Sequence, residues 1–62
     1  MKFHIDNMTC GGCARAVTAA IRSLDPAARV TADPPTRTID VESTRDENEL
    51  RTALDAAGFR PR

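Results

Sequence analysis

The sequence predicts an α+β fold in which two helices cover one face of an antiparallel sheet. Two observations predict it: short runs in which apolar and polar residues alternate, and two longer runs in which apolar residues recur at helical spacing. The runs follow the order strand, helix, strand, strand, helix, and a short segment remains for a last strand. This βαββαβ order is the ferredoxin-like sandwich. With 62 residues the chain is expected to form one domain, which is too small for a large enzyme pocket.

Three strands are predicted from the alternation. The apolar residues that define them are Phe3 and Ile5 in the first strand, Val30 and Ala32 in the second, and Ile39 and Val41 in the third. Residues 34–37, with the sequence PPTR, are typical of a turn and make the second and third strands a hairpin. The segment Arg60-Pro61-Arg62 allows only a short last strand at a sheet edge, because Pro61 has no N–H to donate.

Two amphipathic helices account for the rest of the chain. The first follows the cysteines and ends at Asp25-Pro26, and the second runs from about Asp46 to Ala57. Their apolar stripes consist of Val17, Ala20, Ile21 and Leu24 in the first helix, and Leu50, Ala53, Leu54 and Ala57 in the second. Asp46 and Glu49 have the spacing of a capping box, and Gly58 is placed to end the second helix as its C′ residue.

The segment MTCGGC at residues 8–13 contains the only two cysteines of the chain, Cys10 and Cys13. Thiols three residues apart can close on one soft metal ion or on each other, and the two intervening glycines have no Cβ to obstruct the backbone around the sulfurs. Cys13 is expected in the first turn of the helix, where free N–H groups and the positive end of the helix dipole favour a thiolate. Cys10 is expected in the loop just before it. The pattern therefore indicates metal binding or redox chemistry.

The composition excludes several other functions. Nine basic and nine acidic side chains give a formal net charge of zero, and the basic residues are scattered, so no surface is expected to attract nucleic acid or anionic lipid. No apolar run is long enough for a signal segment or a membrane span, so the chain is expected to be cytoplasmic without membrane insertion. In a reducing compartment a structural disulfide is disfavoured.

The MTCGGC segment resembles the M-x-C-x-x-C loop of heavy-metal-associated domains, which include small copper chaperones and the amino-terminal modules of copper-transporting P-type ATPases. The element order, the Gly58-Phe59 pair and the length also resemble that family. The resemblance implies that residues 1–62 form a single such domain. It further implies a carrier without catalytic turnover that holds Cu(I) between Cys10 and Cys13 and passes it by ligand exchange to the metal-binding domain of a copper-transporting P-type ATPase.

The chemistry of the two thiols agrees with this metal. Cu(I) is a soft ion for which two or three thiolates suffice, whereas Zn²⁺ usually takes four ligands in a tetrahedron. The chain is expected to be a monomer without metal, and two copies can share copper through four cysteines. Three alternatives remain: a thiol-disulfide oxidoreductase, a carrier of Zn²⁺, Cd²⁺ or Hg²⁺, and a detached regulatory module of a transporter.

Five residues near the motif have expected roles. Met8 is expected to pack beneath the loop, as the corresponding Met of the family does, and His4 is expected on the solvated sheet face. Asn7 replaces a Gly that is frequent in the family and is expected to adopt a left-handed backbone. Phe59 replaces a Tyr or Lys and either tunes the site or closes the core beneath it. Arg15 is a candidate for steering an acidic partner, although a lone surface Arg usually has little effect.

Overall fold

The computed structural model describes all residues from Met1 to Arg62 and has the predicted α+β, ferredoxin-like architecture. Two helices pack on an antiparallel sheet of three strands. The elements are β1 (Lys2–His4), α1 (Gly11–Leu24), β2 (Arg29–Asp33), a 3₁₀ turn (Pro34–Thr36), β3 (Thr38–Glu42) and α2 (Glu47–Ala56). Neither helix is long and apolar enough to cross a membrane.

The strands lie in the order β1-β3-β2, so β3 is central and runs antiparallel to both neighbours. Phe3 lies opposite Ile39, and Val30 lies opposite Val41. These residues belong to the apolar half of the alternation, and because side chains alternate between faces along a strand they share the helix-covered face. The predicted hairpin of β2 and β3 is therefore confirmed, and the apolar residues that defined its strands share one face.

The core consists of ten buried apolar residues drawn from every helix and strand except β2, and from two loops. They are Phe3, Ile5, Met8, Val17, Ile21, Ala28, Ile39, Val41, Leu50 and Leu54. All are between 0 and 2 % exposed, and no polar side chain is buried with them. Such a core is small, and each of its large side chains therefore contributes a sizeable share of the stability.

The turn that ends α1 is held by Asp25. Its backbone N–H donates to the carbonyl of Ile21 at 2.9 Å, and its carboxylate accepts from the backbone N–H of Ala27 at 3.1 Å. The Ser43 hydroxyl donates to the other carboxylate oxygen at 2.6 Å, and this bond, followed by the one from Ala27, lowers the pKa of Asp25. One carboxylate thus joins the α1–β2 turn to the β3–α2 turn.

Only half of the predicted capping box forms at the start of α2. The Asp46 carboxylate accepts from the Asn48 N–H at 3.4 Å, as an N-cap does. Glu49 instead pairs with Arg45, with 3.4 Å between Nη1 and Oε2. The Glu49 carboxylate accepts from this guanidinium and not from the backbone N–H of Asp46, so the reciprocal bond of the box is absent.

Gly58 ends α2 in a Schellman motif, which confirms its assignment as the C′ residue. Its φ angle is 90°, its N–H donates to Asp55 O at 3.0 Å, and the N–H of Phe59 donates to Leu54 O at 2.9 Å. Phe59 is half-buried and packs against the core, which is the apolar contact that accompanies this motif. The chain is therefore turned back toward the sheet immediately after α2.

The segment after α2 forms less of a strand than the short one predicted. One backbone hydrogen bond joins it to the sheet, from the N–H of Arg62 to the carbonyl of His4 at 2.8 Å. Pro61 is buried and supplies no N–H, so no ladder develops beside β1.

Gly58→Ala is expected to lower the free energy of unfolding by about 1 kcal/mol or more, because a Cβ is strained at a positive φ angle. Urea denaturation measures this change. Gly11→Ala is the matched control, since a Cβ there meets nothing within 4 Å and the backbone is helical. The same loss of stability in both variants would contradict the role assigned to Gly58.

Candidate metal centre

The loop between β1 and α1, here called the thiol loop, is held against the core on the N-terminal side of the cysteines. The N–H of Ile5 donates to Arg37 O at 2.8 Å, and the N–H of Met8 donates to Ile5 O at 3.1 Å. Ile5 and Met8 are both 0 % exposed. The thioether of Met8 therefore lies in the core, where it was expected, and not on the surface that the thiols share.

The two cysteines lie three residues apart at the start of α1. Cys10 is the N-cap residue, with φ −151° and ψ 172°, and its carbonyl accepts the N–H of Ala14 at 3.0 Å. Cys13 lies in the first turn and packs against the core. Cys10 is exposed, Cys13 is half-buried, and both thiols are free. The sulfur atoms lie 3.2 Å apart, so the fold brings together the two residues that the motif singled out.

The environment of Cys13 favours its thiolate. The pKa of Cys13 is lowered, first because the Cys10 thiol donates a hydrogen bond to its sulfur, and then because the backbone of Thr9 donates another. No acidic residue lies in the first turn of α1, so the positive end of the helix dipole is not neutralised by a side chain. These contacts therefore favour the thiolate of Cys13, which is the form that binds a metal ion.

The two glycines between the cysteines are not required by space. A Cβ on Gly11 would meet nothing within 4 Å, and a Cβ on Gly12 would lie 3.8 Å from Cys10 Sγ, an ordinary van der Waals distance. The expectation that glycine relieves crowding around the sulfurs is therefore wrong for this conformation. Their absent side chains instead leave the surface beside the thiols bare.

His4, the only histidine of the chain, pairs with Asp6 and not with the thiols. The imidazole of His4 is 2.9 Å from an Asp6 carboxylate oxygen, and Arg62 Nε donates to the other oxygen of Asp6 at 2.9 Å. The bond from Arg62 is the main reason that the pKa of Asp6 is lowered. No group of three or more His, Cys, Asp or Glu side chains is placed to hold a metal ion. The thiol pair consequently has no third ligand of these types.

Asn7 connects the loop to the end of α2 in a way that the sequence did not indicate. Its side-chain amide donates to Gly58 O at 2.9 Å. Its φ angle is not positive, so the expected left-handed backbone is wrong; Arg37 is the only non-glycine residue in that region. The bond brings Gly58, and with it Phe59, to the loop. Arg15 is exposed near the same end of α1 and forms no ion pair.

Comparison with known proteins places these features in context. The family model described as the heavy-metal-associated domain matches residues 2–60. A solved gold-binding protein is 52 % identical, with a TM-score of 0.97 over all of this chain and 95 % of that one. The copper chaperone Atx1 from Synechocystis PCC6803 is 31 % identical, with a TM-score of 0.97 over all of this chain and 98 % of its own.

A third similar structure is that of the protein Atu1203 from Agrobacterium tumefaciens. It is 39 % identical, with a TM-score of 0.90 over all of this chain and 97 % of that one. A comparison with curated protein sequences gave no match.

Cys10→Ala is expected to raise the pKa of Cys13 in the metal-free protein, because it removes the S–H donor that lowers this pKa most. The pH dependence of alkylation of Cys13 by iodoacetamide measures the change. Cys10→Ser is the matched control, since its hydroxyl can still donate. If both variants give the same pH profile, the hydrogen bond between the thiols does not set the pKa.

Proposed function

Because the chain belongs to the heavy-metal-associated domain family, we propose that it is a cytoplasmic carrier that holds one Cu(I) ion between Cys10 and Cys13 and performs no catalytic turnover. In this proposal residues 1–62 act as a single domain. The observation that carries the proposal is the pair of sulfurs 3.2 Å apart at a helix N-terminus, one exposed and one half-buried, with no third ligand side chain beside it.

The donor set suits a soft monovalent ion. Two thiolates around Cu(I) form a site of net charge −1, and the free N–H groups of the first turn of α1 offset that charge. A divalent ion such as Zn²⁺ would lack ligands, since Thr9 beside Cys10 is neutral and Met8 is buried. Because both thiols must be reduced to bind, a reducing compartment such as the cytoplasm suits this role.

Ligand exchange follows from the unequal exposure of the two sulfurs. An incoming thiolate from a partner can approach Cys10, which is exposed, over the bare surface of Gly11 and Gly12. Cys13 is half-buried in the first turn and retains the ion while Cys10 dissociates. The ion therefore remains bound to sulfur throughout. We propose the similar motif of a copper-transporting P-type ATPase domain as the acceptor.

Gold is a second candidate cargo. It is favoured by one observation, the 52 % identity to a gold-binding protein whose fold covers the whole chain. Au(I) is softer than Cu(I) and also accepts two sulfur ligands, so the same thiol pair would hold it. Anaerobic competition between the two ions for the reduced protein distinguishes the cargoes.

Copper binding tests the assignment of the ligands. The reduced protein is expected to bind one Cu(I) per chain, and Cys10→Ser or Cys13→Ser is expected to lower the affinity by more than about 100-fold, which exceeds the loss caused by changing a residue that only orients a ligand. Anaerobic competition with a copper chelator measures it. Met8→Leu is the control, because Met8 is buried and its thioether is not proposed as a ligand. Wild-type affinity in either serine variant would refute the assignment.

Copper transfer tests the carrier role. The Cu(I)-loaded chain is mixed with an excess of the metal-free amino-terminal domain of a copper-transporting ATPase, and the two are separated by ion exchange. Copper is expected to move to the acceptor even when a chelator that traps free Cu(I) is present. Copper found mainly in the chelator would show release into solution and would contradict ligand exchange. Reduction of insulin by the metal-free chain, measured in parallel, would favour an oxidoreductase instead.

A further inference from the structure

The outer edge of β2 is open in the single chain. β2 pairs only with β3, so one side of its backbone has no partner in the sheet. The pairing register between β2 and β3 decides which residues of β2 have their backbone N–H and C=O groups on this open side. The N–H of Val41 donates to Met1 O, so the backbone of Val41 faces β1 and that of the adjacent Asp40 faces β2.

The residues of β2 therefore divide into two sets. Thr31 lies opposite Asp40 and directs its backbone groups inward, as do Arg29 and Asp33, two residues to either side. Val30 and Ala32 direct their N–H and C=O groups outward, away from the sheet. Their side chains are only half-buried. β2 thus offers a short, regular edge at which two residues have backbone N–H and C=O groups free to pair.

β2 carries charges of opposite sign at its two ends, at equal distances from its middle residue. Arg29 and Asp33 are exposed at its two ends, with Thr31 midway between them. Neither takes part in an ion pair in the chain, although six other pairs form elsewhere. A strand with a positive residue at one end and a negative residue at the other is complementary to an antiparallel copy of itself.

We infer that β2 is a self-association surface on which a second copy of this chain pairs antiparallel, with the two-fold axis passing through Thr31. Each Val30 then lies opposite Ala32 of the other copy, and these two pairs exchange the backbone hydrogen bonds. Arg29 lies opposite Asp33 of the other copy at both ends, and the two threonines face each other in the centre, a favourable cross-strand pair. The two sheets become one sheet of six strands.

No other register fits equally well. A slip of one residue would place inward-facing backbone groups against outward-facing ones and break the ladder. A slip of two residues would separate Arg29 from Asp33 of the other copy. In the inferred register the next residue whose backbone groups would face the other copy is Pro34. Pro34 has no N–H to donate, so the ladder ends there.

The expected dimer is small and weak, with a dissociation constant on the order of 1 mM, in the range of transient interfaces. It requires no metal, because the thiol loop follows β1 at the opposite edge of the sheet. This separates it from a copper-bridged pair and makes it independent of the proposed function.

Sedimentation equilibrium of the metal-free Cys10→Ser, Cys13→Ser double variant tests the inference without any bridging metal. The chain is expected to self-associate as its concentration approaches the millimolar range. Ala32→Pro is expected to abolish association while preserving the fold, because the N–H that it removes is not used within the chain. Ala32→Ser, which keeps that N–H, is the control. A strictly monomeric parent, or association unchanged by Ala32→Pro, would overturn the inference.

Charge reversal tests the register, and it does so with surface substitutions that leave the core intact. Arg29→Glu and Asp33→Lys, each alone, place like charges opposite each other and are expected to weaken self-association about tenfold. An equimolar mixture of the two variants restores opposite charges at both ends and is expected to form a one-to-one heterodimer. A mixture that associates no better than its components would exclude this register. A change in the circular dichroism spectrum would identify a misfolded variant. In that case the variants Arg29→Asp and Asp33→Arg would be used in place of the first two.

Discussion

Burial of Ile5 and Met8 beneath the thiol loop is the constraint on which the rest of the site depends. A loop with both of these side chains in solvent would sample many conformations, and closing it on an ion would cost the entropy of ordering it. Here the loop is attached to the core on one side and continues into α1 on the other. Cys10 can therefore be exposed and Cys13 half-buried while their sulfur atoms stay together. The small core thus positions the sulfurs as well as stabilising the fold.

In the proposed carrier, this arrangement would balance retention of the ion against its release. Hydrogen bonding and the helix N-terminus favour the thiolate of Cys13, whereas Cys10 is exposed and makes no side-chain capping bond. A carrier needs both properties, since it must hold an ion against solvent and give it up to another thiolate. A tetrahedral site closed by four protein ligands would satisfy the first requirement and not the second. The exposed thiol of Cys10 meets the second requirement in the proposed carrier.

The sequence predicted those features that depend on local pattern. Period-two and helical spacing defined the strands and helices, and the position of Gly58 defined the end of α2, because these signals arise from neighbouring residues. Contacts between distant segments were not predictable. The bond from Asn7 to Gly58 joins residues far apart in the chain, and the left-handed backbone fell on Arg37 and not on Asn7. The second half of the capping box was lost because Arg45 competes for Glu49, which the box pattern does not include.

X-ray absorption at the copper edge of the dilute, Cu(I)-loaded protein tests the central claim most directly, because it counts the atoms bound to the ion. Two sulfur ligands and no nitrogen or oxygen ligand are expected, since only Cys10 and Cys13 are placed to reach it. Dilution prevents two chains from sharing one copper ion, so that only ligands from a single chain are counted. A bound nitrogen, or a third sulfur in a chain that sediments as a monomer, would contradict the two-thiolate site.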